Sequence, residues 1–481
     1  MNKTIRWLAY AWLLAVPLCA IAQEPPQKAE VTYEELLKHV HPDVRYERVT
    51  LPGAENAFLL WEQALDTYVA PDGPVLLQAH QQALDEDAAF PQGVPGQRLA
   101  EWLGRNREAS DLLDKGIALG KCQFPEVEGP ETPLPRLAGL RELARMELLR
   151  AKMLASWGDF DAAGDEIAGV VRFGELTNDG EGVLIAYLVG EAIQSVGLRG
   201  AQWLARQPEA PQAPIERLLQ SIAPSPRSAD ALARTLRVEA CGFFVKGIGD
   251  LASGDPVQKL AALAGEQDPA ESDALAALFK DRQDLLDAGK TTEQGSGYFA
   301  RMIKNTKLSW HDQDRTIRAD MEEQARRLRA EFEAIPGFGG GEGFSQISDA
   351  ERARIRAALA KVENPIGGML LAMLMPAMDR IAELSFQART EREAVRALLA
   401  IRIFELRQGR LPASLDEVVK EKILPGAPAD FYSGQPLHYS AEKRLLWSVG
   451  PDEVDDGGQG APYPDRKGPD YVWPVLAVQE R

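Results

Sequence analysis

From about residue 32 to residue 407, apolar residues recur at the 3.6-residue spacing of a helix, and no stretch alternates convincingly at the two-residue spacing of a half-buried strand. A pattern sustained over that length predicts a mainly α protein whose body is an irregular helical array. Within it, NAFLLWEQALDTYV at 56–69 predicts an amphipathic helix with Leu60, Ala64 and Leu65 on one face. Segments 134–157 and 160–176 predict an antiparallel pair turning at Gly158 and Asp159. Gly158, Phe160, Ala163, Ile167 and Val170 have the spacing of the second half of a tetratricopeptide repeat. No second copy follows at a period of about 34 residues, so the expectation is one TPR-like hairpin and not a regular solenoid.

VLIAYLVGEAI at 183–193 is apolar nearly all round and predicts a central buried helix. Glu191 sits inside that run. A carboxylate so placed is either functional or paired, and Arg141 or Arg145 is the expected partner.

Punctuation divides the chain. A proline-rich stretch at 208–226 closes an N-terminal helical domain, 23–207, and opens a middle helical region, 208–335, with helices expected at 229–251, 273–288 and 314–334. The last of these carries only a narrow apolar stripe, Ile317, Met321, Leu328 and Phe332. Glycine-rich 336–347 reads as a linker, because it follows a helix and fits neither phosphate-loop spacing. Ser348 and Glu351 then form a capping-box pattern that opens the last region, 348–481.

The formal charge of −18 argues against nucleic-acid binding, which needs a basic footprint. It suits a cationic partner or a divalent ion. Lys3 and Arg6, an apolar stretch at 7–17, and Ala20-Ile21-Ala22 before Gln23 predict a secretory signal peptide over 1–22, with an uncleaved anchor as the competing reading. Export would place the chain in the periplasm or outside the cell. The best later apolar run, 366–378, is short of the ~20 residues a spanning helix needs and contains Pro376. Two cysteines remain beyond the leader, Cys122 and Cys241. They form either a disulfide, stabilising by about 4 kcal/mol in the chain-entropy account, or two buried thiols. Neither belongs to a CxxC pattern.

No HExxH, GxSxG or CxxC motif is present. The histidine clusters, His39 with His41 and His311 with Asp312 and Asp314, lack the converging ligands of a metal site. Aspartate capping of a helix start explains the second. A hydrolase would have to assemble its site from distant groups such as Glu191, His80 and His311.

The chain changes character near its end. Ala394, Ala397, Leu398, Ile401 and Phe404 lie on one face of a long helix that GRLP at 409–412 stops. Ser414 is expected to cap a short helix. Segments 437–440 and 444–449 predict a hairpin turning at 441–443. SVGPDEVDDGG follows at 448–458. Paired aspartates, a serine and flexible glycines suit calcium, which takes about six to eight oxygens, but Asp-Gly clusters are also ordinary turn chemistry.

Gly409 and Pro412, then Asp430, Gly434 and Pro436, then Ser448, Gly450, Asp452, Asp455 and Asp456 follow the order of motifs in the G-type major pseudopilins of type II secretion. The last region resembles that family over roughly its final quarter of the chain. The resemblance implies a small α+β module and a calcium loop with Ser448, Asp452, Asp455, Asp456 and, at a later position, Asp470 as ligands. The loop spacing differs from the family's and its prepilin peptidase motif is absent here, so filament assembly is not implied. RLAGLRELARMELLRAKMLASWGDFDAA and NPIGGMLLAMLMPAMDR resemble a family of uncharacterised exported bacterial proteins. The expected function is a non-catalytic scaffold or interaction protein of the periplasm or envelope, binding an envelope protein partner. An envelope hydrolase or a soluble accessory of a secretion apparatus are the alternatives.

Overall fold

The computed structural model describes residues 31–475 except 86, 130–131, 224–229, 254–284 (of which 256 and 259 are described), 314–347 (of which 316, 317, 319, 320, 323 and 326 are described), 360–362 and 461–467. The expected leader and the glycine-rich linker lie outside the described residues, and the helices expected at 273–288 and 314–334 lie largely outside them.

The protein is mainly helical with a small antiparallel sheet at its C-terminal end. Helix α1 (Tyr33–Leu37) opens with a reciprocal cap between Thr32 and Glu35. Helices α2 (Ala57–Thr67), α3 (Pro74–Leu84), α4 (Gly93–Arg105), α5 (Arg107–Leu119), α6 (Leu137–Ser156), α7 (Phe160–Asp179) and α8 (Leu184–Ala205) follow. Asn56 caps α2 through the Phe58 amide. The face α2 buries is Ala57, Phe58, Trp61 and Ala64, one step round from the expected one, and Leu60 and Leu65 sit at its margin. Trp61 sets this register by packing edge-on to Phe173 of α7, 4.6 Å between ring centres.

The expected hairpin at 134–176 is α6 and α7, turning at Gly158 in the left-handed region, φ 86°. Helix α8 is buried nearly all round, as its composition predicts. It approaches α7 closely because the contact positions have no side chain. A Cβ on Gly174 would lie 2.6 Å from both the Gly190 carbonyl oxygen and the Gln194 nitrogen, and one on Gly197 would lie 2.8 Å from the Val171 nitrogen. Those are backbone atoms that cannot step aside.

The proline-rich stretch holds a helix of its own, α9 (Gln212–Ser221), because Ile215, Leu218 and Leu219 have an apolar face to bury. Helix α10 (Ala231–Val238) runs through a π-helical turn at Glu239–Val245 into α11 (Lys246–Ala252). After α12 (Ala288–Asn305) and α13 (Asp349–Leu359) comes α14 (Pro365–Gln408), of 44 residues. Asn364 adopts φ 52° before α14 and joins it to α12, accepting from the Asp287 amide at 2.8 Å and donating to Thr291 Oγ1 at 2.9 Å. Gly409, φ 68°, ends α14 as the GRLP pattern predicts. Short α15 (Leu415–Lys420) has no hydrogen bond from the Ser414 side chain; Glu417 reaches back to the Ala413 amide instead, at 3.0 Å.

Strands β1 (His438–Ser440), β2 (Leu445–Ser448) and β3 (Tyr471–Pro474) pair antiparallel in that order, Tyr439 opposite Leu446 and Trp447 opposite Val472. The hairpin lies where expected, and β3 is an addition to it. One apolar cluster spans α7, α8, α9, the second half of α14 and the sheet, from Ala163 and Trp203 through Ile401 and Phe404 to Trp473. That core is continuous across the expected boundary at 208 and includes the module expected at 348–481. The Ala394-to-Phe404 face of α14 is thus buried against the body. Among the described residues no helix is long and apolar enough to cross a membrane.

Candidate functional site

The 430–436 turn and the loop after β2 bring the sequence-predicted acids to one end of the sheet. Ser448 is fully buried, and its hydroxyl donates to Asp430 Oδ1 at 2.8 Å. The same carboxylate, also fully buried, accepts the Tyr432 amide at 3.0 Å and the Val449 amide at 3.1 Å. Asp430 is itself fixed by its own turn, its amide donating to the Gln435 carbonyl at 2.8 Å and its carbonyl accepting from Gly434 at 2.9 Å. Ser448 therefore points into the sheet base, not out into the acidic loop.

Asp470, just before β3, is the second anchor. Its carboxylate accepts amides of the loop from Gly458 at 2.8 Å, Gln459 at 3.2 Å and Asp456 at 3.5 Å. Burial pushes its pKa above the usual carboxylate range, against the pull of those amides. Asp455 is held below that range, first by the Trp447 indole N–H at 2.9 Å and then by the Gly457 amide at 2.9 Å; His438 Nδ1 lies 3.4 Å from its other oxygen. Exposed Asp452 closes a local turn by accepting the Val454 amide at 3.2 Å.

The five predicted ligands thus separate into buried Ser448 and Asp470, which hold the loop's base, and Asp452, Asp455 and Asp456 within its turns. Among the described residues no three acid, histidine or cysteine side chains converge to hold a metal ion. In this arrangement Ser448, Asp452, Asp455 and Asp470 are engaged with protein groups, and the Asp456 amide donates to Asp470.

A segment after α12 fastens the loop from outside. Trp310 packs against Phe386 of α14 and Tyr432, 5.3 and 5.2 Å between ring centres, and its indole N–H donates to the Pro451 carbonyl at 3.1 Å. His311 Nδ1 meets Glu453 Oε2 at 2.7 Å. Glu453 has φ 63° in the same loop.

The second candidate, Glu191, lies in a polar seam where α7, α8 and α14 meet. Its partner is Asn178, whose Nδ2 donates to it at 2.6 Å, and not Arg141 or Arg145; Arg145 pairs with Glu142, also at 2.6 Å. Burial raises the pKa of Glu191, with Tyr187, Arg392 and Asn178 opposing. Beside it Arg392, buried, joins Glu175 and Gln194 across the helices, and Arg172 Nη1 reaches Glu175 at 3.0 Å. Ser195 and Glu391 meet at 3.1 Å, and Tyr187 and Ser385 at 3.2 Å. Arg389 lies 4.0 Å over the Phe431 ring, and burial lowers its pKa.

His80 is elsewhere, buried edge-on to Trp102 at 5.3 Å, and burial lowers its pKa. His41 caps the Pro42–Val44 turn through the Asp43 amide, so the histidine accepts. Glu191, His80 and His311 therefore occupy three separate places. Cys122 and Cys241 are both free buried thiols in different cores; Cys122 packs with Phe124, and Cys241 Sγ lies 3.4 Å from the Val44 carbonyl. No bridge joins them, and burial raises both thiol pKa values.

Sequence reasoning missed several buried charges, Lys152 and Glu147 among them. Lys152 donates to the carbonyls of Ala83, Asp85 and Ala88 at 2.8 to 2.9 Å, closing the end of α3. Its signal was available, because it follows Leu148 and precedes Ala155 on the apolar stripe of α6. Glu147 is also buried, with no hydrogen-bond partner for either oxygen and Arg150 Nη1 3.7 Å away. No protein-family model matches the chain, and neither the curated proteins nor the solved structures contain a match to it.

Proposed function

We propose that this chain is an exported interaction scaffold of the bacterial periplasm or envelope, with the helical body and the small sheet forming one binding platform for an envelope protein. The observation that carries this reading is the dispersal of Glu191, His80 and His311: Glu191 lies in the polar seam, His80 is buried against Trp102, and exposed His311 meets Glu453. A hydrolytic site needs such groups within reach of one reacting atom. The TPR-like hairpin of α6 and α7 suits the same role, since stacked helix pairs present broad surfaces. A groove between α3 and α4, about 700 Å³ with Val75, Arg98, Glu101 and Arg105 on its walls, offers mixed apolar and charged chemistry to a partner.

The order of long helix, Asp430 turn and antiparallel sheet favours a second reading, a soluble accessory of a secretion apparatus with a pseudopilin-like module. Calcium enters either reading only if Asp452 and Asp455 exchange their present hydrogen bonds for the ion and Asp456 joins them. The test is photo-crosslinking in cells from position 75, with fractionation of the cell compartments. The expected result is a processed chain outside the cytoplasm, crosslinked to an envelope protein. A chain retained in the cytoplasm, or purified protein whose hydrolytic turnover is lost in Glu191→Gln, would contradict the proposal.

A further inference from the structure

Where α5, α6 and α7 meet, acids from all three helices gather round one cation. Glu147 of α6 is 2% exposed, and Arg150 of the same helix comes no nearer to it than 3.7 Å. Glu166 of α7 takes the better contact with that arginine, 3.2 Å from its Nε. Ser110 of α5 accepts from its Nη1. Asp114 of α5, with Asp111 beside it, acts on both glutamates as a further negative charge, and Asp165 of α7 acts on Glu166. The other buried cation of α6, Lys152, is turned away to the carbonyls at the end of α3. Arg150 alone therefore offsets the charge of the junction.

The geometry around Glu147 calls for a proton. Neither of its oxygens has a protein donor. Glu166 lies within hydrogen-bonding reach across the helices, but an ionised carboxylate is an acceptor only, so a bond between the two needs a proton on one of them. Glu147 is the deeper, its side chain 3% exposed against 15% for Glu166, and the proton therefore rests on it. Burial, and then the Glu166 charge, raises the pKa of Glu147 well above the usual carboxylate range; burial raises that of Glu166, and Arg150 opposes both shifts. While the proton is held, Glu147 donates to Glu166 and ties α6 to α7. Its loss replaces that bond with repulsion between two desolvated carboxylates.

We propose that Glu147 and Glu166 share one proton as a pH-sensitive latch between α6 and α7, closed while the proton is held and loosened locally as rising pH removes it. The sign follows from linkage. A carboxyl that holds its proton more tightly when closed gives stability that is complete below its open-state range, about pH 4, and is lost as pH rises towards its closed-state range. The experiment is hydrogen exchange, read by mass spectrometry, on the purified full chain from about pH 4 to about pH 9, each rate normalised to the intrinsic rate at that pH. Protection over 147–166 is expected to fall with rising pH, by up to about tenfold per unit for one proton, while β2 and β3 lose less. Glu147→Gln, which keeps the shape without the titration, is expected to flatten that fall. Glu166→Gln is expected to reduce it and serves if Glu147→Gln does not fold. Protection over 147–166 that is constant with pH, that falls no more than in the sheet, or that falls as steeply in the folded variant as in wild type would overturn the proposal.

Discussion

Ser448 and Asp430, 18 residues apart, share a buried hydrogen bond of 2.8 Å that ties the end of β2 to the turn preceding the sheet. Asp430 is the hub: it also holds the Tyr432 and Val449 amides, so one carboxylate satisfies three donors of two chain segments. Ser448→Ala removes one donor and is expected to cost about 1–3 kcal/mol. Asp430→Ala strands all three and should cost on the order of 3 kcal/mol or more. Urea unfolding of the two single variants and the double variant checks this; additive losses would mean that the pair does not act as a unit.

The glycines of α7 and α8 set how near those helices come. Gly174→Ala places a methyl group 2.6 Å from two backbone atoms of α8, and overpacking of this kind costs about 1–3 kcal/mol. The expected result is a lower urea midpoint, whereas Gly169→Ala, with open space at its Cβ, should not lower it.

Arg392 completes the seam between α7, α8 and α14. Arg392→Ala leaves Glu175 buried beside Arg172 alone and is expected to cost about 3–5 kcal/mol. Adding Glu175→Gln should recover part of that loss in the same unfolding measurement, since it removes the stranded charge.

Glu147 gives the clearest pH dependence. Burial and the neighbouring Glu166 raise its pKa well above the usual carboxylate range, and Arg150 opposes this. A group whose pKa is raised by folding contributes stability that is complete below the unfolded pKa and is lost as pH rises through the folded one. Glu147→Gln keeps the shape without the proton. It is therefore expected to unfold at a higher midpoint than wild type at neutral pH, with the difference shrinking as pH falls below about 4. A difference that grows on acidification would contradict the assignment.

The helical body was legible because burial imposes a 3.6-residue period, and α2, α6, α7 and α8 lie within a few residues of their predicted places. Proline content misled at 208–226, where a two-turn apolar face at Ile215, Leu218 and Leu219 was enough for α9. The packing of α14 on the helical body was invisible for a different reason. Residues 394–404 are apolar on the face that meets α8 and α9, but periodicity states that a face is buried and not what covers it. The acidic loop was recognised as a unit, yet the direction of each carboxylate depends on amides of residues far along the chain, such as Gly458 meeting Asp470. Strand β3 is only four residues long and is separated from β2 by a long Gly- and Pro-rich stretch, 449–470, so no short turn announces its pairing with the hairpin.

The central claim is that sheet and helical body form one platform whose acidic loop is fastened by Asp430 and Asp470 through protein donors. Thermal unfolding of the purified chain in calcium and in chelator, with Asp470→Asn and the double variant Asp455→Ala/Asp456→Ala, tests it most directly, because an ion bound to the native state must raise the midpoint by mass action. The account predicts one cooperative transition, the same midpoint in both solutions, and a lower midpoint for Asp470→Asn in each. A calcium-dependent rise that the double variant abolishes would contradict it, and would make the loop an ion clamp.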